Sequence, residues 1–416
     1  MRGTGKDNSS PISPEVNGGE AKGSGRIWNK AFIAIFMVAL FQTMGQFVAH
    51  TLVPKYADSL GATASLIGLI SGLYAGTALA FRPITSPTYD MFNKKDILTI
   101  ALSVTTLSFV VFFLSRNITW IMIGRALQGL GIGVAGPMGL SIVASALPRE
   151  SYSKGVSLYT VTQAFGQAIG PSIGLELSQK IGYQKTFLCS AALMLVAVIL
   201  TRFCADTPVS GDKHYQVGFK NVFSKDAIPG AVVMLFACMP YASISAMMTI
   251  YGGLLGIEKI GLYFTFYAIG LLVFKPLLGG FADKYGFAKV MVGAMAVYAV
   301  AFVIFGFART LPPLLIGALV AAAGYGVLHP TLQALSMRTA LPENTGVAAN
   351  TLYFFQDIGL FVGPYISGMA IDLFKAAGSE PADAYAKSFM LMIVPLAISA
   401  VLTIILRDVI KRNIKR

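Results

Sequence analysis

The chain has 416 residues, 55% of them hydrophobic and only 12% charged, with a mean hydropathy of +0.68. Soluble domains carry about 25% charged residues, so this composition excludes a soluble globular protein and points to one dissolved in lipid. The formal net charge of +13 would suit a nucleic-acid binder if it were clustered, but it follows the pattern of membrane topology.

Residues 1–28 are rich in Gly, Ser, Asn and Pro and cannot bury a core. They are too long and polar for the charged start of a signal peptide, and no convincing small-residue cleavage site follows the first apolar run. They read as a disordered cytoplasmic tail before a retained first helix. Long apolar runs then predict twelve spans: 31–53, 64–83, 97–115, 119–145, 155–178 and 184–203, then 227–251, 260–280, 289–308, 312–336, 347–373 and 386–406. In hydrocarbon every backbone group needs an internal partner, so the spans must be helices and the fold all-α. The organisation expected is a six-helix half over 29–203, a cytoplasmic linker over 204–226, a second six-helix half over 227–408 and a basic tail over 409–416. With both termini cytoplasmic, about 23 of the 32 Lys and Arg fall in cytoplasmic segments, as the positive-inside rule requires. That places the protein in the cytoplasmic membrane as a multi-pass monomer that binds no nucleic acid. Cys189, Cys204 and Cys238 are too few and scattered for a disulfide framework or a metal site. No metal or cofactor is expected.

The chain writes one turn twice. "FRPITSPTYDMFNKKDIL", starting at Phe81, is echoed by "FKPLLGGFADKYGFAKVM", starting at Phe274; the offset, 274 − 81 or 283 − 90, is 193 residues. The same offset aligns "IGRALQGLGIGVAGP" from Ile123 with "IGALVAAAGYGVLHP" from Ile316. "LYTVTQAFGQAIGP" from Leu158 matches "LYFFQDIGLFVGP" from Leu352 with one residue lost. Two parallel six-helix halves are what transporters rock about a central site.

With these residues in place, nearly the whole chain resembles the major facilitator superfamily. Its signature turn after the second helix has the form Gly-x-x-x-Asp-Arg-x-Gly-Arg-Arg. The first copy here keeps Asp90, Lys94 and Lys95; the second, Gly279-x-x-x-Asp283-Lys284-x-Gly286, matches better. An aspartate beside a helix start gains about 0.3–1 kcal/mol from the partial charge there. Asp90 near span 11 and Asp283 near span 5, with Lys94, Lys95 and Lys284, are therefore candidate gating residues. Ordinary solvated turn residues would read the same way.

Arg125 lies inside span 4 with no other charge nearby. An arginine deep in a membrane helix costs about 2.5–3.5 kcal/mol on insertion scales, so it must meet water or a partner, or else snorkel to the surface. Arg125-x-x-Gln128-Gly129-x-Gly131 resembles the superfamily's span 4 motif, and the resemblance implies a role for Arg125 in proton coupling. In span 5, Gly166-x-x-x-Gly170-Pro171-x-x-Gly174 allows close helix approach and a bend. Packing alone would account for it; the resemblance to the superfamily's antiporter motif implies gating and export. Gly359-x-x-x-Gly363-Pro364 mirrors it in span 11.

Polar residues at helical spacing mark a candidate substrate cavity: Gln42, Gln46 and His50 on span 1, Gln163 and Gln167 on span 5, Tyr325, His329 and Gln333 on span 10. Gln128, Tyr241, Tyr267, Tyr353 and Gln356 complete the set. They suit an uncharged or weakly charged, partly apolar small molecule. The acids within spans are Glu176, Asp357 and Asp372, the first and last near the outer ends. Asp357 lies about 15 Å deep at 1.5 Å per residue, level with His329, and the pair is the candidate proton carrier beside Arg125. A static hydrogen bond between them is the alternative. The function expected is proton-coupled export by alternating access, with nutrient uptake on the same fold as the second reading. No nucleophile–base pair or phosphate loop argues for an enzyme or for ATP drive.

Overall fold

The computed structural model describes residues 28–85, 92–147, 152–207, 223–278, 281–339 and 345–409. The N-terminal tail up to residue 27, most of the linker and the basic tail from residue 410 lie outside them. Among the described residues there are fourteen α-helices and no strand. In the first half they are α1 (Lys30–Ser59), α2 (Ala64–Thr85), α3 (Lys94–Leu114), α4 (Ile118–Ala146), α5 (Tyr152–Ile181) and α6 (Tyr183–Leu200). In the second they are α7 (Ile228–Leu254), α8 (Gly261–Leu278), α9 (Phe281–Tyr285), α10 (Phe287–Phe307), α11 (Leu311–Thr339), α12 (Thr345–Ala376), α13 (Pro381–Leu391) and α14 (Ile393–Ile405).

The twelve expected spans map onto these helices with two adjustments. The short α9 sits in the turn after α8, and the last span is broken at Met392 into α13 and α14. Pro395 has no N–H to give the Leu391 carbonyl, which lets the helix part there. Eleven helices among the described residues are long and apolar enough to cross a membrane. The fifth, α5, falls short in apolarity, because Thr160, Thr162, Gln163 and Gln167 sit in mid-helix. Asparagine caps start three of the spans: Asn29 accepts from Phe32 N, Asn93 from Lys95 N and Asn117 from Trp120 N.

The two copies of the repeated turn enter their next helix by different chemistry. Gly286 has φ 90°, a left-handed conformation that glycine adopts without cost. The corresponding residue in the first copy is Asn93, at φ −60°, whose side chain caps α3. The poorer motif match of the first copy is therefore a substitution of a side-chain cap for a left-handed glycine.

Within each half, equivalent helices pair. α1 packs on α5 through Gly166, Gly170 and Gly174, which face Thr43, Met44 with Phe47, and Val48. α7 packs on α12, where Gly359 and Gly363 lie against the Leu235 and Met239 backbone. Between the halves run two long seams, α2 on α12 and α5 on α8, exchanged by the repeat, and α1 also touches α7.

The α2–α12 seam brings backbone to backbone. Gly68 meets Pro364 and Tyr365, Gly72 meets the Phe361 backbone, Gly76 meets the Phe361 ring, and Gly368 meets Ala64 and Ser65. A methyl group on Gly72 would collide with the Phe361 carbonyl, which cannot swing aside. At one end the Asp372 carboxylate accepts from Ala64 N (3.1 Å), Ser65 N (2.8 Å) and Ser65 Oγ (2.6 Å). It thus caps the start of a helix in the other half and is not merely solvated. At the other end Arg82 Nε lies 2.6 Å from Asp357 Oδ2. Ser65 and Arg82 are about 25 Å apart along α2 at 1.5 Å per residue.

Gly72→Ala is therefore expected to destabilise the protein by about 1–3 kcal/mol, the range for overpacking a tight contact. Gly293→Ala, where the added methyl meets open space, should be neutral or stabilising. Thermal unfolding of both variants in detergent checks the difference.

Candidate functional site

Arg125 on α4 is fully buried and does not reach the surface. Its Nη1 donates to Gln128 Oε1 at 2.8 Å and its Nη2 to the Ala49 carbonyl of α1 at 3.1 Å, while Nε has no partner among the described residues. The guanidinium carbon stands 5.7 Å from the centre of the Tyr74 ring. Two protein contacts and one ring satisfy part of a charge that hydrocarbon would reject. His50 packs its ring 4.6 Å from that of Tyr74 and lies 3.3 Å from Gln46 Nε2. Arg125, Gln128, Tyr74, His50 and Gln46 thus form one polar cluster between α1, α2 and α4.

The structure departs from the expected pairing of Asp357 with His329. His329 Nε2 meets Gln356 Oε1 at 3.2 Å, and its ring packs on Tyr325. Asp357 reaches the other way, across the seam to Arg82, and both side chains are largely buried, 9% and 13% exposed. Arg82 also lies over the Tyr353 ring at 5.5 Å, and Gln333 Nε2 contacts the Tyr353 hydroxyl at 3.5 Å. Sequence reasoning missed Arg82 as a site residue. It was already visible as the partner of Lys275 in the repeated turn, a basic residue at the same place in both halves.

A small cavity lies where the halves meet. α1 contributes Phe47, His50 and Thr51; α5 contributes Gln167; α7 contributes Tyr241, Ile244 and Ser245; and α8 contributes Tyr263, Phe264 and Tyr267. Of the expected cavity residues, His50, Gln167, Tyr241 and Tyr267 line it. Tyr325 stacks on Tyr241 from behind, with ring centres 4.7 Å apart and planes within 5°. Gln46 and Gln128 belong to the Arg125 cluster, while His329, Gln333, Tyr353 and Gln356 gather near Asp357. Gln42 is buried and Gln163 is exposed, and neither lines the cavity.

The expected gating residues are scattered. Asp90 and the Asp283 side chain lie outside the described residues. Lys95 Nζ pairs with Asp206 at 3.2 Å, and Asn93 Nδ2 donates to the same carboxylate at 3.0 Å. The Asn93 hydrogen bond, then the hydrogen bond and charge of Lys95, hold the Asp206 carboxyl below its usual range. Lys94 gives its backbone N–H to Thr207, and Lys284 packs over the neighbouring Tyr285 ring. Lys94 and Lys95 thus tie α3 to the stretch after α6, inside the first half. Gly166, Gly170 and Gly174 fit α5 to α1, with Pro171 inside the helix. Glu176 pairs with Lys180 on the same exposed helix face.

The family model of the Major Facilitator Superfamily matches residues 32–259 and again 230–416. The chain belongs to this superfamily. It is a multi-pass membrane protein of a transporter family, with the all-α fold its composition implied. Among curated relatives, it is 21% identical over 363 residues to the staphylopine export protein of Staphylococcus aureus, covering 82% of this chain and 89% of that one. It is 26% identical over 332 residues to the multidrug resistance protein MdtG of Klebsiella pneumoniae, covering 75% and 80%. Among solved structures, a bacterial homologue of the human lysosomal transporter Spinster, inward-facing and unoccupied, matches with a TM-score of 0.75. That match has 14% identity over 94% of this chain and 99% of the other. The nucleoside transporter NupG matches with a TM-score of 0.73, at 12% identity over 90% and 99%. These last two likenesses concern the fold.

Proposed function

We propose that the protein exports a small, partly apolar molecule in exchange for a proton, by alternating access about the central cavity. The observation that carries this reading is the Arg82–Asp357 ion pair, because it joins the two halves and includes an ionisable carboxylate. Ionised, Asp357 holds Arg82 and keeps α2 against α12. Protonated, it loses its charge and its hold on the guanidinium, and that end of the seam is free to part. The substrate-loaded, deprotonated protein is then closed at that end and opens at the opposite face. Releasing substrate there and taking up a proton returns it.

With both termini cytoplasmic, the Asp357 end faces the cytoplasm and the Asp372 end faces outside. The protein is then a cytoplasmic-membrane monomer of two six-helix halves joined by the 204–226 linker. Arg125 holds α1 and α4 beside the cavity and, through His50, relates its charge to substrate occupancy. Asp90 and Lys284 act at the cytoplasmic turns, and the α5 glycines let that helix bend at Pro171. The relatives named for staphylopine export and multidrug resistance support export. One inward positive charge supplies about 2.3 kcal/mol per 100 mV, roughly fiftyfold of concentration.

Reconstituted vesicles with an imposed pH gradient test this. Addition of substrate should draw protons opposite to the substrate's own movement. Movement of both in the same direction would make the protein an importer, and no proton movement would remove the coupling.

A further inference from the structure

The cavity wall holds two tyrosine hydroxyls whose hydrogen bonds are unmade. Tyr263 and Tyr267 both line it, and both hydroxyls are buried with no partner among the described residues. Their rings lie nearly parallel, at 8°, with centres 6.4 Å apart, and Tyr241 stands 6.4 Å from Tyr267. A buried hydroxyl without a partner costs about 1–3 kcal/mol, and two in one wall are a standing demand for acceptor atoms. His50, Thr51, Gln167 and Ser245 add groups that can donate or accept on the same surface. The rest of the lining is apolar or aromatic: Phe47, Ile244 and Phe264, with Tyr241.

Charge narrows the class further. No carboxylate is among the lining residues. A buried positive charge stands on the first-half side: Arg125 lies behind Tyr74, which packs on the cavity-lining His50. Tyrosine faces can hold a cation, but here a cation would meet a like charge and leave the hydroxyls unanswered.

We infer that the cavity takes a planar aromatic molecule bearing carbonyl-type acceptors, which accept from Tyr263 and Tyr267 while its rings lie against the tyrosine faces. This rests on the reading of the cavity as the transport site.

Three probes of one shape separate the classes: anthraquinone, anthracene without its carbonyls, and the cation N-methylacridinium. Binding is measured by equilibrium dialysis against the full-length protein in lipid nanodiscs, with empty nanodiscs subtracted. Anthraquinone should bind about tenfold more tightly than either other probe. Tyr263→Phe with Tyr267→Phe, which keeps both rings, should erase that advantage while leaving anthracene binding within about twofold. Equal or tighter binding of anthracene or N-methylacridinium, or an advantage that survives the double substitution, would overturn the assignment. A Tyr267→Phe variant alone, expected to lose about half of the advantage on a logarithmic scale, serves if the double variant does not fold. Transport is scored separately, as anthraquinone-induced proton flux in vesicles. Selective binding without flux would refute export and leave the ligand class standing, whereas coupled flux of other compounds without selective binding would do the reverse.

Discussion

Asp357→Asn should abolish energised export while leaving substrate exchange at zero gradient. Asparagine has the shape of the protonated carboxyl but cannot ionise, so the Arg82 end of the seam loses its charge attraction permanently. The same change breaks the largely buried Arg82–Asp357 pair, and breaking a buried pair costs about 3–5 kcal/mol. A lower melting temperature in detergent is expected alongside the transport defect. The paired substitution Arg82→Met with Asp357→Leu separates the two effects. Replacing a buried pair by apolar side chains of similar volume is often neutral for stability, so the melting temperature should return. Energised export should not return, because no group remains to carry the proton. Recovery of both would reduce the pair to a structural contact. A normal pH dependence in Asp357→Asn would exclude it as carrier.

The second large effect is expected at Arg125. Arg125→Ala should still insert, at some cost in stability because Arg125 is among the largest fully buried side chains; its partners Gln128 and the Ala49 carbonyl can bond to one another or to water entering the space. Energised export should fall by about tenfold or more, the consequence of losing charged hydrogen bonds worth about 1.5–3 kcal/mol each. Arg125→Lys keeps the charge, but one ammonium cannot reach Gln128 and Ala49 with the same planar fork, so it should recover little. Counterflow and gradient-driven transport measured side by side in vesicles check both variants. Full coupled export by Arg125→Ala would confine the residue to packing.

Much of the architecture was legible because hydrocarbon leaves the backbone so few choices. The apolar runs and the glycine-proline pattern each express a constraint that acts within a few turns of one helix, and the 193-residue offset shows those constraints written twice. The cost of Arg125 was legible for the same reason: a single charge in an apolar run is conspicuous. Partners were not legible. Asp357 and His329 sit at similar depth on neighbouring helices, but depth does not say which way a side chain faces. The actual partner, Arg82, is 275 positions away in sequence, across the interface between halves. Asp372 looked like an exposed end residue because its ligands are backbone N–H groups of another helix, which no residue type announces. The α5 glycine pattern announces a close approach without naming the neighbour, which is α1 of the same half.

The glycine rail between α2 and α12 has a mechanical corollary. Where Gly72 rests on the Phe361 backbone there is no compressible side chain between the helices. The Ser65 end has no slack either: Gly368 lies against Ala64, and Asp372 is already 2.6–3.1 Å from its donors. The helices therefore cannot seesaw about Gly72, because the far end has no room to close. Parting Arg82 from Asp357 must lift Gly72 off Phe361, with the Ser65 end as the hinge. Spin-label pairs placed at the two ends should then report widening at the Arg82 end and little change at the Ser65 end.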